Sequence, residues 1–103
     1  MKFDLGDYPS AIEYYTRSIE LNSFNAGVYY NRGTARFNSC DHAGAIKDFT
    51  RVIQLNPADI QAYILRGFSK YNLGDIKGAC ADWAVAGTKN CFDACELMQE
   101  YCK

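Results

Sequence analysis

Apolar side chains recur along this chain at helical spacing: Ile46, Phe49 and Ile53 form one stripe, and Ile60, Tyr63, Ile64, Gly67 and Tyr71 form another. Recurrence every three or four positions marks an amphipathic helix, whereas a half-buried strand would alternate. The pattern predicts helices over 8–22, 26–38, 42–55, 60–72, 76–86 and 91–102, a stub over 1–5, and no strand. Turn chemistry falls between the stripes. Gly6-Asp7, Cys40-Asp41 and Gly74-Asp75 each offer an Asp as N-cap of the following helix, and Asn56-Pro57 ends one helix before the next. Gly87 is expected to stop the fifth helix, and Asn90 with Asp93 forms a capping arrangement for the last.

The stripes repeat. Ala11, Ala45 and Ala79 stand 34 residues apart, as do Asp7, Asp41 and Asp75, and the same shift superposes Tyr15, Phe49 and Trp83. Tyr29 with Tyr63, Arg32 with Arg66, Gly33 with Gly67 and Asp48 with Asp82 obey the same register. The stretch YYNRGTARF followed by AGAIKDFTRVIQLNP resembles a tetratricopeptide repeat, through Tyr29, Gly33, Ala45, Phe49 and Pro57. The next copy matches through Tyr63, Gly67, Ala79, Trp83 and Ala86. Three departures stand out: Arg32 and Arg66 replace the usual Leu, Arg36 and Lys70 the usual Tyr, and Cys91 the usual Pro.

The resemblance implies an all-α fold, a right-handed α-solenoid of helical hairpins forming a single domain over 1–103. Its parts are a truncated first repeat (1–25), a second repeat (26–59), a third (60–90) and a capping helix (91–103). The physics agrees, because Gly33, Ala45, Gly67 and Ala79 let helix backbones approach while Tyr15, Phe49 and Trp83 fill the gap to the neighbouring unit. Such a unit cannot bury its apolar face alone, so stability comes from stacking. Met1 falls inside what would be the first helix of the first unit, which leaves Tyr8, Ile12, Tyr15 and Ile19 bare. A homodimer through helix 8–22 would cover them; the alternatives are a frayed end or a piece of a longer array. At the other end Cys91, Cys95, Met98, Tyr101 and Cys102 share one side of an amphipathic cap.

Composition narrows the function. With 103 residues, 49% of them hydrophobic, the chain has one core and is not a disordered tail. Eleven Lys and Arg against twelve Asp and Glu give a net charge of −1, which excludes a dedicated nucleic-acid binder. Nowhere do about eighteen apolar residues run together, and Asp4 and Asp7 interrupt the start, so neither a membrane span nor a signal peptide is expected. The expected compartment is the cytoplasm.

The resemblance implies a non-enzymatic scaffold that binds a peptide or protein segment in a concave groove lined by the first helix of each unit. Spacing assigns that lining to Tyr30, Asn31, Thr34, Phe37 and Asn38 in one unit and to Ile64, Leu65, Phe68, Tyr71 and Asn72 in the next, with Gln61 at the entrance. Amides pair with a peptide backbone while rings cover its side chains. Some of these rings read equally well as core, since helix 60–72 is apolar on more than one face. Some family members hold an acidic chaperone tail through a clamp of Lys, Asn and Arg. Asn31 matches the clamp Asn, but the two basic positions of the following unit are Gln61 and Leu65, so chaperone-tail binding is not inferred. The competing function is a self-assembling structural piece that uses helix 8–22.

Folding each hairpin about its turn brings Arg32 level with Asp48 and Arg66 level with Asp82, which predicts one internal ion pair per hairpin. The alternative is a basic strip of Arg32, Arg36, Arg66 and Lys70 that recruits an acidic ligand. Cys80, Cys91, Cys95 and Cys102 are the only conceivable zinc set, and without a CxxC pair or a second His they read as free thiols packed as small hydrophobes. A bridge from Cys80 to Cys95 or Cys91 is the alternative in an exported protein. Cys40, Asp41 and His42 are the only candidate catalytic cluster, and adjacent residues at a helix start point apart instead of meeting as nucleophile and base. No metal, cofactor or catalytic site is expected.

Overall fold

The structure, a computed structural model, describes residues 7–88 and 100–101. Five helices follow one another among them: α1 (Tyr8–Leu21), α2 (Ala26–Asn38), α3 (His42–Leu55), α4 (Ile60–Asn72) and α5 (Ile76–Thr88). No strand occurs among the described residues. Each helix packs on the next, and α2 also touches α4. The stub expected over 1–5 lies outside the described residues, as does the helix expected over 91–102 apart from Glu100 and Tyr101.

The two hairpin turns share one construction. Cys40 N–H donates to Phe37 O at 3.0 Å and Asp41 N–H to Arg36 O at 2.8 Å; Gly74 and Asp75 do the same to Tyr71 and Lys70 at 2.9 and 2.8 Å. This double closure ends a helix with one left-handed residue, and Cys40 and Gly74 have φ of 68° and 89°. The next residue then starts the following helix: Asp41 Oδ1 accepts from Gly44 N–H at 3.1 Å, and Asp75 Oδ1 from Gly78 N–H at 3.0 Å. Asp7 takes the equivalent place before α1 but makes no side-chain cap bond. Asp59, which the sequence reading overlooked, caps α4 by accepting from Ala62 N–H at 3.1 Å.

The core sits between successive helices. Tyr29, Val52 and Ala62 form one buried cluster, joined by Ile19 from α1; Ile64, Ala79, Trp83 and Ala86 form another. Trp83 is fully buried, and its indole N–H donates to Ile64 O at 3.2 Å. Gly67 lies directly under the Trp83 ring, where a Cβ would stand 2.8 Å from Cδ1.

Four expectations need correction. Gly87 does not stop the fifth helix, which runs through it to Thr88. One interior glycine costs about 1 kcal/mol relative to Ala, too little to end a helix anchored by buried Trp83 and Ala86. Helix α1 stops at Leu21, with Asn22 as its C-cap. Tyr8, Ile12, Tyr15 and Ile19 are not bare: each is half-buried, Ile19 packs against the Tyr29 and Val52 cluster, and Ala11 between them is buried. The exposed large apolar side chains of α1 are Tyr14 and Leu21. Cys80 packs beside the Trp83 cluster and is disulfide-bonded, whereas Cys40 is free and exposed.

Candidate functional site

Charge is arranged first by the repeat. Arg32 on α2 donates from Nε and Nη2 to the two carboxylate oxygens of Asp48 on α3 at 3.0 and 2.7 Å, and Arg66 on α4 does so to Asp82 on α5 at 2.9 and 2.7 Å. In both copies the remaining Nη1 reaches back to the previous hairpin, to Thr16 and Thr50 Oγ1, each at 3.2 Å. One arginine thus ties three helices together. A second cation, one turn further on, completes each site: Arg36 Nη1 lies 3.1 Å from Asp48, and Lys70 Nζ 3.1 Å from Asp82. The carboxylates are 2% and 4% exposed, so these bonds satisfy charges that water does not reach. The reading of Arg32, Arg36, Arg66 and Lys70 as an outward basic strip is therefore overturned, since all four point to an internal carboxylate. The added cations and threonines were missed, although Thr16 and Thr50 share the 34-residue shift.

A cavity of about 410 Å³ opens where α2 and α4 face one another. Ala26, Gly27, Tyr30 and Asn31 of α2 line one side; Asn56, Asp59 and Gln61 line the other. Tyr30 is half-buried with its ring edge-on to Phe49, centroids 5.9 Å apart, while Asn31 and Gln61 are exposed. Burial, and after it the Asp59 carboxylate, hold the Tyr30 hydroxyl pKa above its ordinary value. The wall therefore offers three amides that both donate and accept, a neutral phenol and one carboxylate.

The other residues expected to line a groove divide. Asn38 and Asn72 are exposed at the ends of α2 and α4, and Thr34 is half-buried with its hydroxyl donating to Tyr30 O at 2.9 Å. Leu65 is half-buried. Ile64 is 5% exposed and belongs to the core beneath Trp83. Phe37 packs edge-on to His42 of α3, centroids 5.2 Å apart. Phe68 and Tyr71 lie against Trp83 at 5.3 and 6.1 Å, and Tyr101 covers Tyr71 at 5.2 Å. Cys40 and Asp41 are occupied by turn geometry, and the His42 Nδ1 is buried without a hydrogen-bond partner. Among the described residues no three metal-ligating side chains gather, and no helix is long and apolar enough to cross a membrane.

A family model described as TPR repeat matches residues 1–39, and one described as tetratricopeptide repeat matches residues 26–59. The second TPR of Spaghetti (RPAP3), bound to the HSP90 peptide SRMEEVD, is 33% identical over 79% of this chain and 75% of its own, with a TM-score of 0.75. This chain belongs to the tetratricopeptide repeat family. Two further members lie close in structure. The second TPR domain of human RPAP3, in complex with the HSP70 peptide SGPTIEEVD, has a TM-score of 0.87 at 29% identity over 95% of this chain and 83% of its own. The first TPR of Spaghetti, again with SRMEEVD, has 0.86 at 26% over 93% and 78%. No curated protein sequence matches this tetratricopeptide repeat chain significantly.

Proposed function

We propose that this chain is a protein-interaction module that holds an extended peptide segment across the face where α2 and α4 are neighbours. The observation that carries this reading is the cavity between them, walled by Tyr30, Asn31 and Gln61, whose polar groups are free of the internal ion-pair system. The solved relatives bound to peptides support it, being alike in fold over most of this chain. A peptide backbone needs donors and acceptors at intervals along its length, and Asn31 and Gln61 supply both kinds. Asn38 and Asn72 extend the polar line toward the far ends of the two helices, and the exposed part of Leu65 offers apolar contact. Phe37, Phe68 and Tyr71 act mainly as the packed floor, and Ile64 contributes only to the core. Catalysis has no part in this reading.

Selection of an unbiased displayed-peptide library on the immobilised chain tests it. Peptides recovered on wild type should lose binding at least about tenfold on the double variant Asn31→Ala, Gln61→Ala. Both positions are exposed, so the variant keeps its fold. Recovered peptides that bind the variant as well as wild type would overturn the groove.

A further inference from the structure

The sign of charge at this face differs from what an acidic peptide needs. Helices α2 and α4 carry four basic residues, Arg32, Arg36, Arg66 and Lys70, and every one is drawn inward to Asp48 or Asp82. Among the described residues that line the cavity, what remains is uncharged apart from Asp59, a carboxylate at the start of α4. One of its oxygens caps Ala62 N–H, and it stands near enough to the Tyr30 hydroxyl to disfavour the phenolate. Opposing it is the first turn of α2, where Ala26 and Gly27 reach the same cavity. A helix N-terminus carries about half an elementary positive charge, against the full negative charge of the carboxylate. The first turn of α4 adds little, because Asp59 itself caps it. The balance at the cavity is negative.

We infer that the cavity between α2 and α4 receives a cationic group of the bound segment, a lysine or arginine side chain, with Asp59 as its counter-charge and Asn31 and Gln61 holding the adjoining backbone. This rests on the groove reading above and assigns the charge class of the ligand. A Lys or Arg head group entering beside Tyr30 keeps its apolar stem against the ring and its donors toward Asp59. An acidic segment at the same place would meet a like charge, and no cation lines the cavity among the described residues.

Two heptapeptides of opposite charge test this on the whole chain: SRMEEVD, and SRMKKVK with an amidated C-terminus. Isothermal titration at low ionic strength should show the lysine peptide binding about tenfold or more tightly than the acidic one, a step expected from one charge pair in a partly solvated site. The variant Asp59→Asn retains a good N-cap for α4, and should remove most of that preference. Equal or tighter binding of SRMEEVD would overturn the charge assignment and leave the groove standing. A preference for the lysine peptide that survives in Asp59→Asn would overturn the role of this cavity. If neither peptide binds while library-selected peptides do, the charge assignment alone falls; if the library selection also fails, the groove falls with it.

Discussion

Arg66 and Asp82 meet through two parallel hydrogen bonds between α4 and α5, and the pair recurs one repeat earlier as Arg32 and Asp48 with distances that differ by 0.1 Å or less. Each arginine also stacks near its own helix's aromatic, Arg32 5.8 Å from the Tyr29 ring centre and Arg66 5.5 Å from that of Tyr63. The residues that depart from the usual Leu and Tyr of the family are thus a repeated internal network.

Removing one partner should be worse than removing both. In Arg66→Leu, Asp82 keeps only Lys70 while remaining almost wholly buried, and the loss should be about 3 kcal/mol. Adding Asp82→Leu should recover much of it, since no buried carboxylate is left behind. Urea unfolding of the single and double variants checks this. A double variant as unstable as the sum of its parts would contradict it.

Glycines 33 and 67 occupy equivalent places but face different rings. A Cβ at Gly33 would approach Phe49 Cε1 at 3.0 Å, whereas one at Gly67 would run into the fused Trp83 ring, which is fixed by its bond to Ile64 O. Gly67→Ala should therefore destabilise by about 1–3 kcal/mol. In Gly33→Ala a smaller clash is offset by about 1 kcal/mol of helix propensity, leaving a change near zero. Thermal unfolding of both variants decides whether the order holds.

Cys40 adopts a conformation suited to glycine, and Gly74 is the residue at the same place in the next copy. Cys40→Gly should raise stability by about 0.5–1 kcal/mol by relieving the left-handed backbone, with part of the gain lost to greater freedom of the unfolded chain. Gly74→Ala should lower it by a comparable amount. A measured loss on Cys40→Gly would mean that the thiol makes a contact outweighing the backbone cost.

Alkaline pH should weaken the fold in part through Tyr30. Its folded pKa lies above the ordinary tyrosine value, so the associated stability is complete below about pH 10 and is lost as pH rises from there through the folded pKa. Unfolding free energies between about pH 8 and about pH 11 should fall less steeply in Tyr30→Phe than in wild type. Parallel curves would contradict the shift.

Much of this architecture is legible in the sequence because repetition exposes it. The aligned small residues and rings give the hairpins, and the fixed spacing of Arg66 to Asp82 gives the ion pair, since both depend on backbone geometry that a period reports directly. Side-chain direction around a helix is less visible. Ile64 and Leu65 are adjacent and both apolar, yet the first is core and the second half-exposed, because Trp83 covers one side of α4. Register places Phe37 on the groove side of α2 but does not reveal the edge-on contact with His42 of the hairpin that holds its ring. Asp59 escaped notice because it lies outside the apolar stripe, in the connection before α4, and gains its place at the cavity only when α2 and α4 come together.

The central claim, that a peptide lies across α2 and α4, is tested most directly by mapping amide chemical-shift changes as a library-selected peptide is titrated into the labelled chain. The account predicts saturable changes centred on Tyr30, Asn31, Asp59 and Gln61 and continuing along the exposed sides of α2 and α4, with α1 and the outer faces of α3 and α5 unaffected. A footprint centred on Tyr14 and Arg17 of α1, or spread over α3 and α5, would contradict it.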